Sequence, residues 1–97
     1  MKVNWSPLAI SKLESISDYI ALDKESAAIN WVNDILDSTD ALAHQPEMGR
    51  AVPELPGKNY RELIIGNYRV IYSIGASIQI LTIRNCKQIL KFEDDEL

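Results

Sequence analysis

Cysteine and histidine occur once each in this chain, at Cys86 and His44, and each scarcity excludes something. A single cysteine closes no internal disulfide, so the fold must be held by a hydrophobic core, and a reducing compartment is the simpler setting. A single histidine beside Gln45 and Pro46 has no ligand set around it. At the end of a helical segment it complements the dipole rather than serving catalysis, and neither a metal nor another cofactor is expected. Long apolar runs are also missing. The opening MKVNWSPLAI has no signal-peptide core, and the most apolar region, residues 70–83, is interrupted by Ser73, Gly75, Ser77 and Gln79, which argues against a membrane span. A soluble cytoplasmic protein with no membrane partner is expected. Glycine and proline number four each, and five of these eight breakers (Pro46, Gly49, Pro53, Pro56, Gly57) fall in residues 45–58. That segment reads as an irregular but ordered crossing loop.

What is present fits one domain over residues 1–97. The 97 residues are 46% hydrophobic and 25% charged, enough to bury a core without staples. Charge is unevenly distributed. Residues 1–49 hold three Lys/Arg against eight Asp/Glu, residues 50–91 hold seven against two, and the last six residues, FEDDEL, add four negative charges. The strand-forming half is therefore basic, which suits an anionic partner or complements the acidic half within the fold.

Residues 60–84, YRELIIGNYRVIYSIGASIQILTIR, organise the rest. Three runs rich in Ile, Val, Leu and Tyr are separated by Gly66-Asn67 and by Gly75-Ala76-Ser77, where hairpins need residues that tolerate positive φ. This is a three-stranded antiparallel meander. In its middle strand Tyr68, Val70, Tyr72 and Ile74 share one face, and Arg69, Ile71 and Ser73 share the other. Tyr60, Tyr68 and Tyr72 are expected to pack rather than stack on bases. Arg61, Arg69 and Arg84 are guanidinium groups carried by rigid strands.

Ahead of the meander, residues 2–5 (KVNW) form an entering strand. Ser6-Pro7 starts a helix, with Ser6 as N-cap and Pro7 at the first helical position. Ala9, Leu13, Ile16 and Ile20 form its apolar stripe, opposite Lys12, Ser15 and Asp18. Asp23 offers the next N-cap, and a second helix runs to about Ala43 with Ala28, Val32, Ile35, Thr39 and Leu42 on its stripe. Trp5 and Trp31 pack between helices and sheet. After Arg84, NCKQILKF extends the strand or makes a helical turn; Cys86 is half-buried, and the acidic tail, residues 92–97, frays. The order β-α-α-β-β-β gives an α+β domain: an N-terminal strand, an antiparallel helix hairpin packed on one sheet face, then the meander. The other sheet face is expected to be open, with Arg69 either projecting from it or paired with a carboxylate such as Glu62.

The opening VNWSPLAISKLESISDYIALDKESAAINWVNDI, the loop PEMGRAVPEL, the YREL and NYRVIY strands and the terminal ILTIRNCKQIL together resemble a RelE/ParE-superfamily toxin of a type II toxin–antitoxin module. The resemblance implies growth arrest, a cognate antitoxin as partner and a toxin–antitoxin hetero-oligomer. The antitoxin is expected to lay an acidic and apolar segment across the helix hairpin and the sheet edge. RNA-cleaving members neutralise the scissile phosphate with basic residues and move a proton with His, Tyr or Glu. If this chain cleaves ribosome-bound mRNA, the resemblance implies Arg61, Arg69 and Arg84 as its catalytic set.

By the same resemblance, the place after the last strand where RNA-cleaving members carry His or a basic residue is Asn85, no tyrosine follows Tyr72, and Leu63 stands where those members tend to carry a second lysine. The long helix hairpin is more similar to ParE-type members, which poison DNA gyrase by binding it. That reading is favoured over a ribosome-dependent mRNA endonuclease or an inactive antitoxin-binding module. Its implied target-binding residues are Arg50, Arg61, Arg69, Arg84 and Lys87, with Arg50 serving either the target or an acidic helix residue.

Overall fold

The computed structural model of the protein describes residues 1–57 and 59–87. Its elements follow in the order β1 (Val3–Trp5), α1 (Pro7–Asp23), α2 (Glu25–Ala41), β2 (Arg50–Ala51), β3 (Tyr60–Ile65), β4 (Tyr68–Ile74) and β5 (Ile78–Asn85). The strands form one sheet in the order β1-β5-β4-β3-β2. The meander β3-β4-β5 is antiparallel as read from the sequence, whereas β1 lies parallel to β5 and makes the sheet mixed. No helix of the described residues is long and apolar enough to cross a membrane. The reading of residues 88–91 and of the acidic tail lies outside the described residues.

Ser6 sets both the start and the position of α1. Its hydroxyl accepts from Ala9 N–H at 3.0 Å and donates to Leu81 O at 2.9 Å, while its own N–H donates to Ile80 O at 3.0 Å. One residue thus caps the helix and pins it to β5. Asp23, by contrast, caps nothing: α1 runs through it. The two helices share a single extended residue, Lys24 (φ −154, ψ 115), which has no side-chain cap bond. So short a joint leaves no separate cap position. α2 ends at Ala41, two residues early, where Thr39 Oγ1 donates back to Ile35 O and Leu36 O and Leu42 N–H tightens onto Thr39 O.

The main core lies between hairpin and sheet. Ala9, Ile35, Leu42, Val70, Tyr72, Ile78, Ile80 and Ile83 are buried there, with Trp5, Leu13, Ile16, Trp31 and Tyr68 packed against them. The even-numbered face of β4 thus meets the helices. Only Gly66 of the two hairpin breaks uses positive φ (+60); the loop at Gly75 closes without it, through Gly75 N–H to Ser77 O at 3.0 Å.

Two expectations fail at the crossing loop. It is not devoid of regular structure, because Arg50 and Ala51 pair with Glu62 and Arg61 as the edge strand β2. Nor is the outer sheet face wholly open. Val52, 1% exposed, packs on Ile71 with Leu55, Tyr60 and Leu81 around them, so the loop roofs that face. The physical reason is the fork of Glu54 on Arg69, which draws the loop over the outer face; the start of the loop is anchored from the helix side by Tyr72. Its hydroxyl reaches past the sheet edge, donating to Pro46 O at 2.7 Å and accepting from Gly49 N–H at 2.9 Å. Gly49 must be glycine for this, since a Cβ there would stand 2.6 Å from both Glu62 O and the Tyr72 hydroxyl oxygen. Cys86, expected to be half-buried, is exposed.

Losing the Tyr72 hydroxyl leaves a buried amide and carbonyl short of a partner, so Tyr72→Phe is expected to cost about 1–3 kcal/mol. Gly49→Ala is expected to cost at least ~2 kcal/mol through steric strain. Urea-unfolding midpoints check both. Burial pushes the Tyr72 phenol above its ordinary value of 10.0, against the Gly49 hydrogen bond and the Arg61 charge that lower it. The fold therefore favours the neutral phenol. Its contribution is complete below the unfolded-state pKa and is lost as pH rises through the higher folded-state value. Unfolding measured across about pH 9–11 should show a steeper alkaline loss for the native chain than for Tyr72→Phe.

Candidate functional site

The arginines singled out by sequence do not lie on one face. Register places Arg61 opposite Tyr72, on the helix side, and Arg69 opposite both Ile64 and Arg84, on the outer side. Arg50 stands opposite Glu62 on the same outer side. The outer group is therefore Arg50, Arg69 and Arg84, with Arg69 and Arg84 directly across from each other. Like charges so placed repel, and carboxylates must offset them.

Two carboxylates meet Arg69, which is 6% exposed. Glu62, wholly buried on β3, receives Arg69 Nε on its Oε1 at 3.1 Å, and Arg69 Nη2 bonds the same oxygen. Arg50 grips the other oxygen, with Nε at 3.0 Å and Nη2 at 2.9 Å from Glu62 Oε2. Glu54, from the loop after β2, closes a two-pronged fork on Arg69, Nη1 to Oε2 at 2.7 Å and Nη2 to Oε1 at 2.9 Å. The Glu54 hydrogen bond, with those and the charges of Glu62 and Glu54, raises the Arg69 pKa against the opposing effect of burial, so the guanidinium is permanently charged. Of the two alternatives posed for Arg69, the carboxylate partnership is the one present. Arg50 pairs with Glu62 of the sheet and not with a helix residue.

Arg61 serves another purpose. Its Nη1 donates to Gly49 O at 2.6 Å and to Glu47 O at 3.3 Å, holding the loop beside a cavity of about 310 Å³ lined by Glu47, Ala51, Asn59, Tyr60, Arg61 and Ile74. Lys87 is exposed beyond the end of β5. Asn85 Oδ1 accepts Lys87 N–H at 2.9 Å, so the amide at the proposed proton-carrier position acts as a turn acceptor. His44 follows α2 and takes part in none of these contacts; its N–H donates to Ala41 O at 3.2 Å.

A second surface was not singled out in the sequence. Where α1 meets α2, Tyr19, Ile20, Leu22, Asp23, Ala27 and Trp31 line a groove of about 760 Å³ against Gly66, Asn67 and Tyr68 of the β3–β4 hairpin. Trp31 and Tyr68 meet edge to face, with ring centroids 5.2 Å apart. Within it Leu22 is 86% exposed and Tyr19 70%. Large apolar side chains left this bare mark an interaction surface. The available signal was their position: Tyr19 and Leu22 lie off the apolar stripe of α1.

A strand, a two-helix hairpin and a meander built on one sheet, with an arginine network on its outer face, define a small α+β domain of the architecture that the sequence resemblance implies. Comparison with known proteins narrows this. The model of the family described as ParE toxin of type II toxin-antitoxin system, parDE, matches residues 3–90. The Y4kP protein of Sinorhizobium fredii (strain NBRC 101917 / NGR234), a candidate toxin by its name, is 34% identical over 91 residues, 90% of each chain. A chain of the chromosomal ParDE TA system from P. aeruginosa superposes with a TM-score of 0.72 at 28% identity, covering 88% of this chain and 95% of that one. The chain belongs to the ParE toxin family of type II toxin–antitoxin systems.

The network makes a graded prediction. Arg69→Met leaves Glu62 buried beside one exposed arginine and is expected to destabilise by about 3–5 kcal/mol. Arg50→Ala removes the exposed partner and is expected to cost about 1 kcal/mol or less. Thermal or urea unfolding of the two variants checks the order.

Proposed function

We propose that this ParE-type toxin arrests growth by binding and poisoning DNA gyrase, and that a cognate antitoxin neutralises it. The observation that carries the first part is the division of the arginines. An RNA-cleaving site needs its cations convergent on one phosphate with a proton carrier beside them. Here Arg61 is committed to loop carbonyls on one face, Arg69 to two carboxylates on the other, and Asn85 to a turn. A binding surface needs no such convergence. In this reading Arg50, Arg84 and Lys87 present charge to the target, while Arg61 and Arg69 fix the loop that shapes the surface.

The bare hairpin groove supports an antitoxin contact there. Its rim includes Asp23, and the front half of the chain is strongly acidic. The segment that covers it is therefore expected to be apolar with basic flanks rather than acidic, in contrast to the expectation from sequence alone.

Two assays test this. Purified toxin is expected to inhibit gyrase supercoiling and to accumulate cleavage complexes, and Asn85→His should leave both unchanged. Cleavage of ribosome-bound mRNA with gyrase untouched would sink the gyrase reading. For the antitoxin contact, Leu22→Glu replaces an apolar anchor worth about 1.5–3 kcal/mol when buried. Antitoxin affinity should fall roughly tenfold or more, measured by titration calorimetry, while growth arrest by the variant persists. Unchanged affinity would move the contact elsewhere.

A further inference from the structure

Residues 52–57 (VPELPG) cross the outer sheet face between β2 and β3. Among the described residues their backbone attachments are Val52 N–H to Tyr60 O at 3.3 Å and a local turn, Leu55 N–H to Val52 O at 3.1 Å. The segment carries Pro53 and Pro56, and Gly57 has φ +77, a backbone conformation at which the chain can change direction. It is held to the sheet by two apolar pins, Val52 and Leu55, which lie on Ile71, Tyr60 and Leu81. Its polar fastenings include the fork of Glu54 on Arg69.

The two carboxylates on Arg69 are not equivalent. Glu62 belongs to the sheet, is wholly buried and is also held by Arg50. Glu54 belongs to the crossing segment, and its side chain is 26% exposed. If Glu54 withdraws, Glu62 still neutralises the guanidinium, so no unpaired charge is left buried and the withdrawal is reversible. The outer edge of the guanidinium, with Nη1 and Nη2 directed at two oxygens, is then presented outward. Two oxygens of a phosphate group fit that fork as well as a carboxylate does. The surrounding Arg50 and the directly opposed Arg84 favour an anion with more charge and more oxygens than one carboxylate.

We propose that residues 52–57 are a strap latched by Glu54 on Arg69, and that a phosphate group competing for Arg69 releases it. Release uncovers Ile71, Tyr60 and Leu81 as an apolar patch on the outer face. Glu54 thus acts as an internal stand-in for a phosphate ligand, and the strap keeps the patch closed until such a ligand arrives.

Inorganic phosphate is the probe, compared with chloride at equal ionic strength, on the full-length chain. Hydrogen exchange should show the hydrogen-bonded amides of Val52 and Leu55 exchanging several-fold faster in phosphate, while the core strands β4 and β5 keep their protection. Glu54→Gln should already exchange fast in chloride, and its melting temperature should rise with phosphate by more than that of the native chain. Combining Glu54→Gln with Arg50→Ala, which removes an exposed cation, should weaken that phosphate response. A single-stranded oligonucleotide at matched phosphate concentration distinguishes sources: a stronger effect assigns the ligand to a nucleic-acid backbone, an equal or weaker one to free phosphate, and either upholds the latch. Strap protection in the native chain unaffected by both probes would overturn it, as would a Glu54→Gln variant that melts lower yet keeps the strap protected. Neither readout uses growth arrest or gyrase, so failure of the latch and failure of the gyrase reading are told apart by separate measurements.

Discussion

A guanidinium buried on the outer face of a β-sheet has to be surrounded by acceptors, and Arg69 gathers them from two segments of the chain. Glu62 approaches from β3, Glu54 from the crossing loop, and Arg50 of β2 completes the set by holding Glu62. Desolvating such charges is expensive and tolerable only when the hydrogen bonds are complete. Loop, edge strand and sheet are thus bound into one arrangement. The short strand β2 and the roof over Ile71 both depend on it.

Tyr72 performs the corresponding task on the other side. It is a core residue by its ring and a loop anchor by its hydroxyl, bridging Pro46 O and Gly49 N–H. Arg61 adds a further hold on Gly49 O. Together these contacts turn a breaker-rich segment into ordered structure that includes the two-residue strand β2. Ile71 is covered on the outer face, while Ile64 on the same face stays 48% exposed; the exposed cations and the hairpin groove are further surfaces among the described residues.

The two surfaces differ in chemistry. The groove at the α1–α2 joint is apolar and acid-rimmed, with Leu22 and Tyr19 nearly bare, whereas the outer face is rich in arginine. A toxin with an antitoxin and a target can present separate chemistry to each, which allows specificity for each partner to be set independently.

Alternation and capping chemistry are local, so the meander, the face carried by Val70 and Tyr72, the Ser6 cap and the apolar stripes were legible from neighbouring residues. The position of Arg69 between alternatives was legible too, because period-two alternation places it opposite the tyrosine row. Three features were not: the roof over the outer face, the separation of Arg61 from Arg69 and Arg84, and the strand in the crossing loop. The separation of the arginines follows from strand register, and the other two from which carboxylate reaches a buried guanidinium and whether a tyrosine hydroxyl meets a glycine 23 residues away. Tertiary structure alone decided them, because the free energy of burying a charge or a hydroxyl depends on partners that only the folded chain brings within hydrogen-bond reach.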